Sequence, residues 1–101
     1  MKGYIIANVR VTDPTRYEEY RRQVPAIIEL FGGRYLVRGG EVTLLEGDLG
    51  LERVVVLEFP SVETARRFHD SDAYAPLKAL RQATSESSLV LLAGYQEPMT
   101  A

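Results

Sequence analysis

The sequence predicts a single α+β domain spanning residues 1–101, in which helices cover one face of a four-stranded antiparallel sheet. Three observations predict this class. Segments rich in β-branched residues precede and follow segments in which apolar residues recur at helical spacing. A capping residue stands at the start of each helical segment, and glycines or polar turns separate the segments. The resulting order, β-α-β-β-α-β, is the ferredoxin-like arrangement.

The first strand and the first helix have clear boundaries. The segment from Gly3 to Val11 is rich in β-branched residues and predicts a strand. Asp13 and Pro14 predict a helix start, because aspartate caps helices and proline at the first helical position loses no hydrogen bond. We expect Pro25 to bend this helix and Gly32-Gly33 to end it. Its apolar stripe consists of Tyr17, Tyr20, Val24, Ile27, Ile28 and Phe31.

The next two strands are joined by a long connection. Arg34 to Val37 predicts the second strand, which continues as an extended arm as far as Glu46. Gly39-Gly40 marks a turn or a bulge within this arm. Gly47 to Leu51 predicts the following turn, and Glu52 to Phe59 predicts the third strand.

The last part of the chain predicts a broken helix followed by a strand. Ser61 is suited to cap the helix, with an acidic residue in the first turn. Ser71 and Pro76 predict that the helix breaks and restarts before it ends near Thr84. Ser88 to Tyr95 predicts the last strand. A polar tail, Glu97 to Ala101, follows it.

Composition excludes several classes of function. The formal net charge is -2 with acids and bases interspersed, so the chain lacks the basic surface of a nucleic-acid-binding protein. RNA-recognition domains share the β-α-β-β-α-β order, but the third strand here lacks their exposed aromatic residues. The absence of cysteine excludes disulfides, thiolate metal sites and cysteine nucleophiles. No apolar run is long enough for a membrane helix, and we expect a cytoplasmic protein.

The strands are apolar on both faces, which predicts a homodimer. Ile5-Ile6-Ala7, Val54 to Leu57 and Leu89 to Ala93 lack the alternation of a sheet with one face in water. Helices can cover only one face of such a sheet. A second copy is the simplest cover for the other face, because twofold homodimers are the most common assembly.

Phasing the strands gives a group of polar residues on the face away from the helices, which we call the far face. If Ile5 and Val55 face the helices, four polar side chains fall on the far face: Asn8, Arg34, Arg38 and Glu58. An apolar surface with a few convergent polar groups is the usual form of a small-molecule site. The alternative is structural, since Arg34 could pair with Glu58 across neighbouring strands or tether the two protomers.

Two further residues are candidates for proton transfer. His69 is the only histidine, and either it interacts with the helix C-terminal carbonyls or it acts as a general base. Glu46, before Gly47, is either a solvated edge carboxylate or an acid in a pocket. Neither residue belongs to a convincing catalytic triad or metal site, and we expect no metal. Arg81 is interpreted as a helix-surface charge that could fold over the rim of a pocket.

The chain resembles a family of uncharacterised proteins, domain-of-unknown-function family 1330, which belongs to the dimeric α/β-barrel superfamily. The matching motifs cover residues 32–40, 45–47 and 58–61, Ser71 with Tyr74, and Leu80-Arg81. The resemblance implies a ferredoxin-like protomer and a dimer in which two sheets face each other. The superfamily includes cofactor-free monooxygenases, isomerases, haem-handling proteins and ligand-sensing domains. Arg34, Arg38, Glu46, Tyr74 and Arg81 lie in the motifs, but the family assigns them no role, and we expect no cofactor.

Two classes of function follow as hypotheses. The first is a small-molecule-binding dimer. It could be a cofactor-free enzyme that acts on an acidic or enolisable substrate by proton transfer or by oxygenation. Its cavity would lie between sheet and helices or between the two sheets. Arg34 would hold a carboxylate or enolate oxygen, and His69 or Glu46 would move the proton. The second is a non-catalytic ligand-sensing or oligomerisation module.

Overall fold

Seven elements follow one another in the computed structural model, which describes residues 1–96 and residue 98. They confirm the predicted ferredoxin-like order, with the second helical region divided in two. Except for Pro98, the predicted tail from Glu97 to Ala101 lies outside the described residues. The elements are β1 (Gly3–Val11), α1 (Pro14–Leu30), β2 (Arg34–Arg38), β3 (Arg53–Phe59), α2 (Val62–Asp70), α3 (Ala75–Thr84) and β4 (Ser85–Ala93).

The helix boundaries arise from the residues that the sequence singles out. The side chain of Asp13 accepts a hydrogen bond from the Arg16 amide at 3.3 Å, so α1 starts at Pro14. Gly32 has a φ of +75°, which closes the C terminus of this helix. Ser61 caps α2 by accepting a hydrogen bond from the Thr64 amide at 3.0 Å.

The predicted break in the second helical region lies between Asp70 and Ala75. The Ser71 hydroxyl donates to the Phe68 carbonyl at 2.8 Å and accepts from the Tyr74 amide at 3.1 Å. Because this one hydroxyl binds both the C-terminal end of α2 and the N-terminal end of α3, it fixes where α3 begins. The side chain of Tyr74 is thereby held in the core, where only 1% of the residue is exposed.

The sheet has the strand order β2-β3-β1-β4, and all three strand pairs are antiparallel. The predicted phase of β1 is confirmed, since Ile5, Ala7 and Val9 are buried in the two core clusters beneath the helices. β4 begins at Ser85 rather than at Ser88. It follows α3 directly because the Ser85 hydroxyl donates to the Arg81 carbonyl at 2.6 Å.

The face predicted for Arg38 is wrong, because β2 contains a bulge. Tyr35 pairs with Leu57, but the next pair joins Val37 to Val56, so Leu36 is an extra residue in the strand. An extra residue reverses the face of every side chain after it. Arg38 therefore pairs with Val55 and lies on the helix side of the sheet.

The far face is apolar and lies opposite the helices. Residues of its central strands are half-buried, whereas Val90 and Leu92 of β4 are 53% and 45% exposed. The register places these side chains in adjacent rows across the sheet. We call this group the far-face patch; it consists of Ile6, Val54, Val56, Val90 and Leu92.

Residues 39–52 join β2 to β3. The extension predicted to reach Glu46 is present as unpaired chain rather than as strand, and residues 40–52 are exposed throughout. Asn8 on the far face holds the end of this connection. Its side-chain amide donates to the Gly50 carbonyl at 3.1 Å, and its amide oxygen accepts from the Glu52 amide at 2.8 Å.

Candidate functional site

A cavity lies between the helices and the sheet, and we call it the helix-side cavity. Its volume is about 40 Å³, enough for a few water molecules. Its wall is mainly apolar, with side chains from all three helices and all four strands. Tyrosine and arginine supply its polar groups: Tyr17, Tyr20, Tyr35, Tyr74, Arg21, Arg38, Arg53 and Arg81.

Tyr20, Tyr74 and Arg81 form a chain of hydrogen bonds in the wall of this cavity. The hydroxyls of Tyr20 and Tyr74 lie 2.9 Å apart, and Arg81 Nε donates to the Tyr74 hydroxyl at 3.3 Å. Arg81 Nη1 donates to the hydroxyl of Ser87 on β4. The chain therefore links both helical regions to the sheet across the cavity.

Arg81 is buried because of its position on α3. Leu77, Arg81 and Thr84 are the buried residues of this helix, and their spacing of four and three residues places them on one face. Only 5% of Arg81 is exposed. The interpretation of Arg81 as a surface charge is wrong, and helical spacing from Leu77 was the signal that could have placed it inside.

Arg81 has no carboxylate partner among the described residues. The hydrogen bonds of its guanidinium there go to the hydroxyls of Tyr74 and Ser87, which are neutral. A guanidinium remains charged in proteins, and a buried charge is unfavourable unless it is paired. The cavity wall thus presents a positive charge that neutral hydroxyls compensate only in part.

Burial also affects the phenols of the cavity. It raises the pKa of Tyr20 far above its ordinary value, with a further contribution from neighbouring Tyr74. Burial likewise raises the pKa of Tyr35, against the opposing charge of Arg38. Both phenols therefore keep their protons near neutral pH and can donate hydrogen bonds.

Arg38 lies at the edge of the cavity, as a result of the bulge in β2. Its guanidinium stacks over the Tyr35 ring, 4.6 Å from the centroid, and Nη2 donates to the Arg21 carbonyl at 2.8 Å. This contact connects β2 with α1 where the cavity opens. Arg38 is itself exposed, so it contributes a positive charge at the mouth.

Arg53 is a second arginine of the cavity wall whose guanidinium is not fully hydrogen-bonded. Its Nε is buried and has no hydrogen-bond partner in the described part of the chain. Gly39 makes room for this guanidinium: a Cβ added to Gly39 would lie 2.4 Å from Arg53 Nη1. Gly39 also has a φ of +68°, which favours glycine. A buried guanidinium nitrogen without a partner is unfavourable, and a ligand that displaced the neighbouring side chains would gain a donor there.

Arg34 and Glu58 form the cross-strand ion pair that the sequence analysis gives as the structural alternative. Arg34 Nε donates to Glu58 Oε1 at 2.9 Å, and Lys2 Nζ and the Tyr4 hydroxyl also bind this carboxylate, at 3.2 and 3.1 Å. The hydrogen bond from Arg34 is the largest effect that lowers the pKa of Glu58, and burial opposes it. Glu58 therefore stays ionised near neutral pH, and its carboxylate accepts hydrogen bonds from three donors.

The four polar residues predicted on the far face do not form one group. Asn8 lies opposite Val54, four positions along β3 from Glu58, which corresponds to about 13 Å. Arg38 lies on the other side of the sheet. Only Arg34 and Glu58 of the predicted set touch each other, and Asn8 binds the connection between β2 and β3 instead.

His69 and Glu46 lie outside the wall of the helix-side cavity. His69 is in the last turn of α2, with Nδ1 3.2 Å from Asp70 Oδ1, and it lines a separate groove between α2 and β4. Glu46 is exposed in the connection between β2 and β3. Within the described residues, no group of three or more histidine, aspartate or glutamate side chains could hold a metal.

Five of the eight tyrosine and arginine residues in the cavity wall were not predicted as site residues. Tyr17 and Tyr20 were interpreted as core, and they are core residues that also line the cavity. Tyr35 was expected only to pack toward the helices, and Arg21 and Arg53 carried no interpretation of their own. The separation of Arg53 from Gly39 by a long connection hides their contact from any local pattern.

Comparisons with known proteins support the fold and the family resemblance. The family model described as domain of unknown function (DUF1330) matches residues 2–95. A protein of unknown function from Rhodopseudomonas palustris has a similar structure, with a TM-score of 0.74 and 22% identity over 95% of this chain and 84% of that chain. No curated protein matches the sequence significantly.

More distant structures share the fold. SnoaB from Streptomyces nogalater, described as a cofactor-independent oxygenase, has a TM-score of 0.59 and 16% identity, with 95% of each chain covered. Rv0793 from Mycobacterium tuberculosis has a TM-score of 0.56 and 17% identity over 98% of this chain and 100% of that chain. None of the helices in the described residues is long and apolar enough to cross a membrane.

Proposed function

This chain belongs to the DUF1330 family, a domain of unknown function, and from its own residues we propose that it is a homodimeric small-molecule-binding protein whose acidic ligand occupies the helix-side cavity. The observation that carries the proposal is the buried guanidinium of Arg81, which has no carboxylate partner among the described residues. An anionic ligand would supply the missing charge through bidentate, charge-assisted hydrogen bonds.

The other polar groups of the cavity support the same ligand chemistry. The hydroxyls of Tyr20 and Tyr74 share one hydrogen bond beside Arg81, which leaves the hydrogen of the other phenol to donate to a ligand. The buried Nε of Arg53, which has no partner among the described residues, adds a donor once a ligand widens the cavity, and Arg38 adds positive charge at the mouth. The rest of the wall is apolar and aromatic. A flat apolar molecule that carries a carboxylate or an enolate matches the chemistry of this lining, and it would widen the cavity of about 40 Å³ on entry.

Replacement of Arg81 tests the proposal. Arg81→Met keeps an unbranched side chain but removes the charge, so we expect benzoate to bind at least about tenfold more weakly. Benzyl alcohol, which has the same ring without the charge, should bind the wild type and the variant alike. The readout is titration calorimetry, supported by the rise in melting temperature that a ligand of the native state produces.

Arg66→Met is the matched control, because Arg66 is exposed on α2 and does not line this cavity. It should bind benzoate as the wild type does. Since removal of a buried arginine can disturb packing, Tyr20→Phe serves as a milder second variant that deletes one donor of the same chain. Equal affinity of benzoate for the wild type and both cavity variants would contradict the proposal.

A second candidate function is cofactor-free catalysis on an enolisable acid. Tyr74 and Arg81 could stabilise a developing enolate, and the structurally similar SnoaB is described as a cofactor-independent oxygenase. The cavity wall, however, includes no carboxylate and no imidazole among the described residues. The general base proposed from the sequence, His69 or Glu46, would have to act from outside it. Binding is therefore the better-supported function.

Hydrogen exchange at the methylene group of phenylpyruvate distinguishes the two candidates. Phenylpyruvate carries a carboxylate, an aromatic ring and an enolisable carbon. A catalyst should accelerate deuterium incorporation, followed by nuclear magnetic resonance, and Tyr74→Phe should slow it by about tenfold or more. A binding protein should bind phenylpyruvate without accelerating the exchange.

A further inference from the structure

The connection between β2 and β3 exposes an unusual amount of apolar surface. We call residues 40–52 the arm. The arm also contains four acids and no lysine or arginine, which gives it a formal charge of -4. Its apolar side chains are between 39% and 90% exposed: Val42, Leu44, Leu45, Leu49 and Leu51. Exposed apolar residues concentrated in one segment indicate a surface that another molecule covers.

One end of the arm is fixed to the far face. Asn8, whose side chain lies on that face, binds both the Gly50 carbonyl and the Glu52 amide. The Asp48 carboxylate accepts a hydrogen bond from the Gly50 amide at 2.7 Å, which shapes the last turn before β3. The arm therefore leaves the protomer from the same face that carries the far-face patch.

The far face has the complementary chemistry. Beside the far-face patch lies the cluster of Lys2, Tyr4, Arg34 and Glu58, whose two cations exceed its one carboxylate. Arg34 binds Glu58 through Nε, while its side chain is 68% exposed. The far face and the arm are therefore complementary. Both are apolar, and the far face carries excess positive charge where the arm carries negative charge.

We propose that the arm of each protomer lies on the far face of a second copy of this chain. Its leucines pack against the partner's far-face patch, and its carboxylates face the partner's copy of the Lys2–Arg34 cluster. This proposal rests on the homodimer of the proposed function. A second copy is the occupant because one chain carries both complementary surfaces, and a twofold axis would then form the contact twice.

Replacement of arm leucines tests the apolar contact. The variant Leu45→Ser/Leu49→Ser removes the two most exposed leucines of the arm, whereas Leu30→Ser removes a leucine of α1 that is 70% exposed. Sedimentation velocity over the micromolar range should show the wild type and Leu30→Ser as dimers. The arm variant should dissociate at a concentration at least about tenfold higher, with unchanged circular dichroism.

A charge exchange tests the polar contact. Arg34→Glu and the triple variant Glu41→Lys/Glu46→Lys/Glu52→Lys, whose arm has a formal charge of +2 instead of -4, should each weaken their own homodimers, because the arm and the cluster then carry like charges. Mixed in equal amounts, they should form a heterodimer, since each arm then meets a cluster of opposite charge. Native mass spectrometry distinguishes the heterodimer from the two homodimers by mass.

The outcomes separate this proposal from the one on which it rests. Dimers of unchanged affinity in the arm variant, or a failure of the mixture to form heterodimers, would overturn the arm contact while leaving the homodimer intact. A wild type that is monomeric throughout the micromolar range would overturn the homodimer and the arm contact together. Neither result bears on benzoate binding in the helix-side cavity.

Discussion

At the scale of single residues, the arginines on the two faces of the sheet differ in whether they have the partners that a guanidinium needs. Arg34 has a carboxylate partner within the protomer, Glu58. Arg81 is buried against neutral hydroxyls, and Arg53 has a buried nitrogen with no partner among the described residues. The unsatisfied groups are therefore on the helix side of the sheet, and they indicate where a ligand would bind.

Glu58 should make the stability of the protein depend on pH. Its pKa is lowered in the folded state from an ordinary value of 4.5, mainly by the hydrogen bond from Arg34. The resulting stabilisation is present above the unfolded pKa and is lost as pH falls through the folded one. Urea denaturation should show Glu58→Gln less stable than the wild type at about pH 7, with a smaller difference at about pH 3.

Glu29→Gln is the control for this measurement, because Glu29 is exposed on α1 and forms no ion pair among the described residues. Its difference from the wild type should be small at both pH values. A Glu58→Gln difference that does not shrink at low pH would show that the ion pair does not stabilise the fold.

Gly39 should affect ligand binding through Arg53. In Gly39→Ala the new Cβ meets the guanidinium, and the backbone φ of +68° adds strain of about 1–2 kcal/mol. Gly47→Ala is a matched control, because Gly47 has a φ of +65° with open space around it. We expect both variants to lose stability in urea denaturation, but only Gly39→Ala to bind benzoate more weakly. Equal benzoate affinities would exclude Arg53 from the site.

At the scale of elements, the sequence predicted most boundaries of the helices and strands, but it did not predict the bulge in β2. The caps Asp13 and Ser61 and the break at Ser71 are local signals, and each is confirmed. The bulge at Leu36 is not local. It depends on how β2 pairs with β3, and it moves Arg38 from the predicted far face to the cavity. A shift of one residue in a strand reverses faces, so the error follows directly from the period of two.

The break between α2 and α3 should position Tyr74. Ser71→Ala removes the hydroxyl that binds Phe68 and Tyr74, and we expect a loss of about 1 kcal/mol in stability. Ser61→Ala, which removes the cap of α2, should lose a similar amount. Only Ser71→Ala should also weaken benzoate binding, because only Ser71 holds Tyr74 in the cavity wall. If the two variants bind benzoate equally, the break has no role in the site.

At the scale of the whole molecule, the ferredoxin-like protomer was predicted in full, because periodicity and capping both point to the same order of elements. The site was predicted only in part. Arg81 and Tyr74 were named, but the reasoning from strand phase favoured the far face over the helix side. The contact between Gly39 and Arg53 and the chain from Tyr20 to Ser87 join residues distant in sequence, and no pattern in a single sequence reports such contacts.

The position of a bound acid tests the central claim most directly. A crystal of the protein soaked with 4-bromobenzoate would locate the ligand through the anomalous signal of its bromine. We expect the bromine within the helix-side cavity and the carboxylate within hydrogen-bond distance of Arg81. A ligand bound to Arg34 on the far face, or a helix-side cavity left empty by a ligand that binds in solution, would contradict the account.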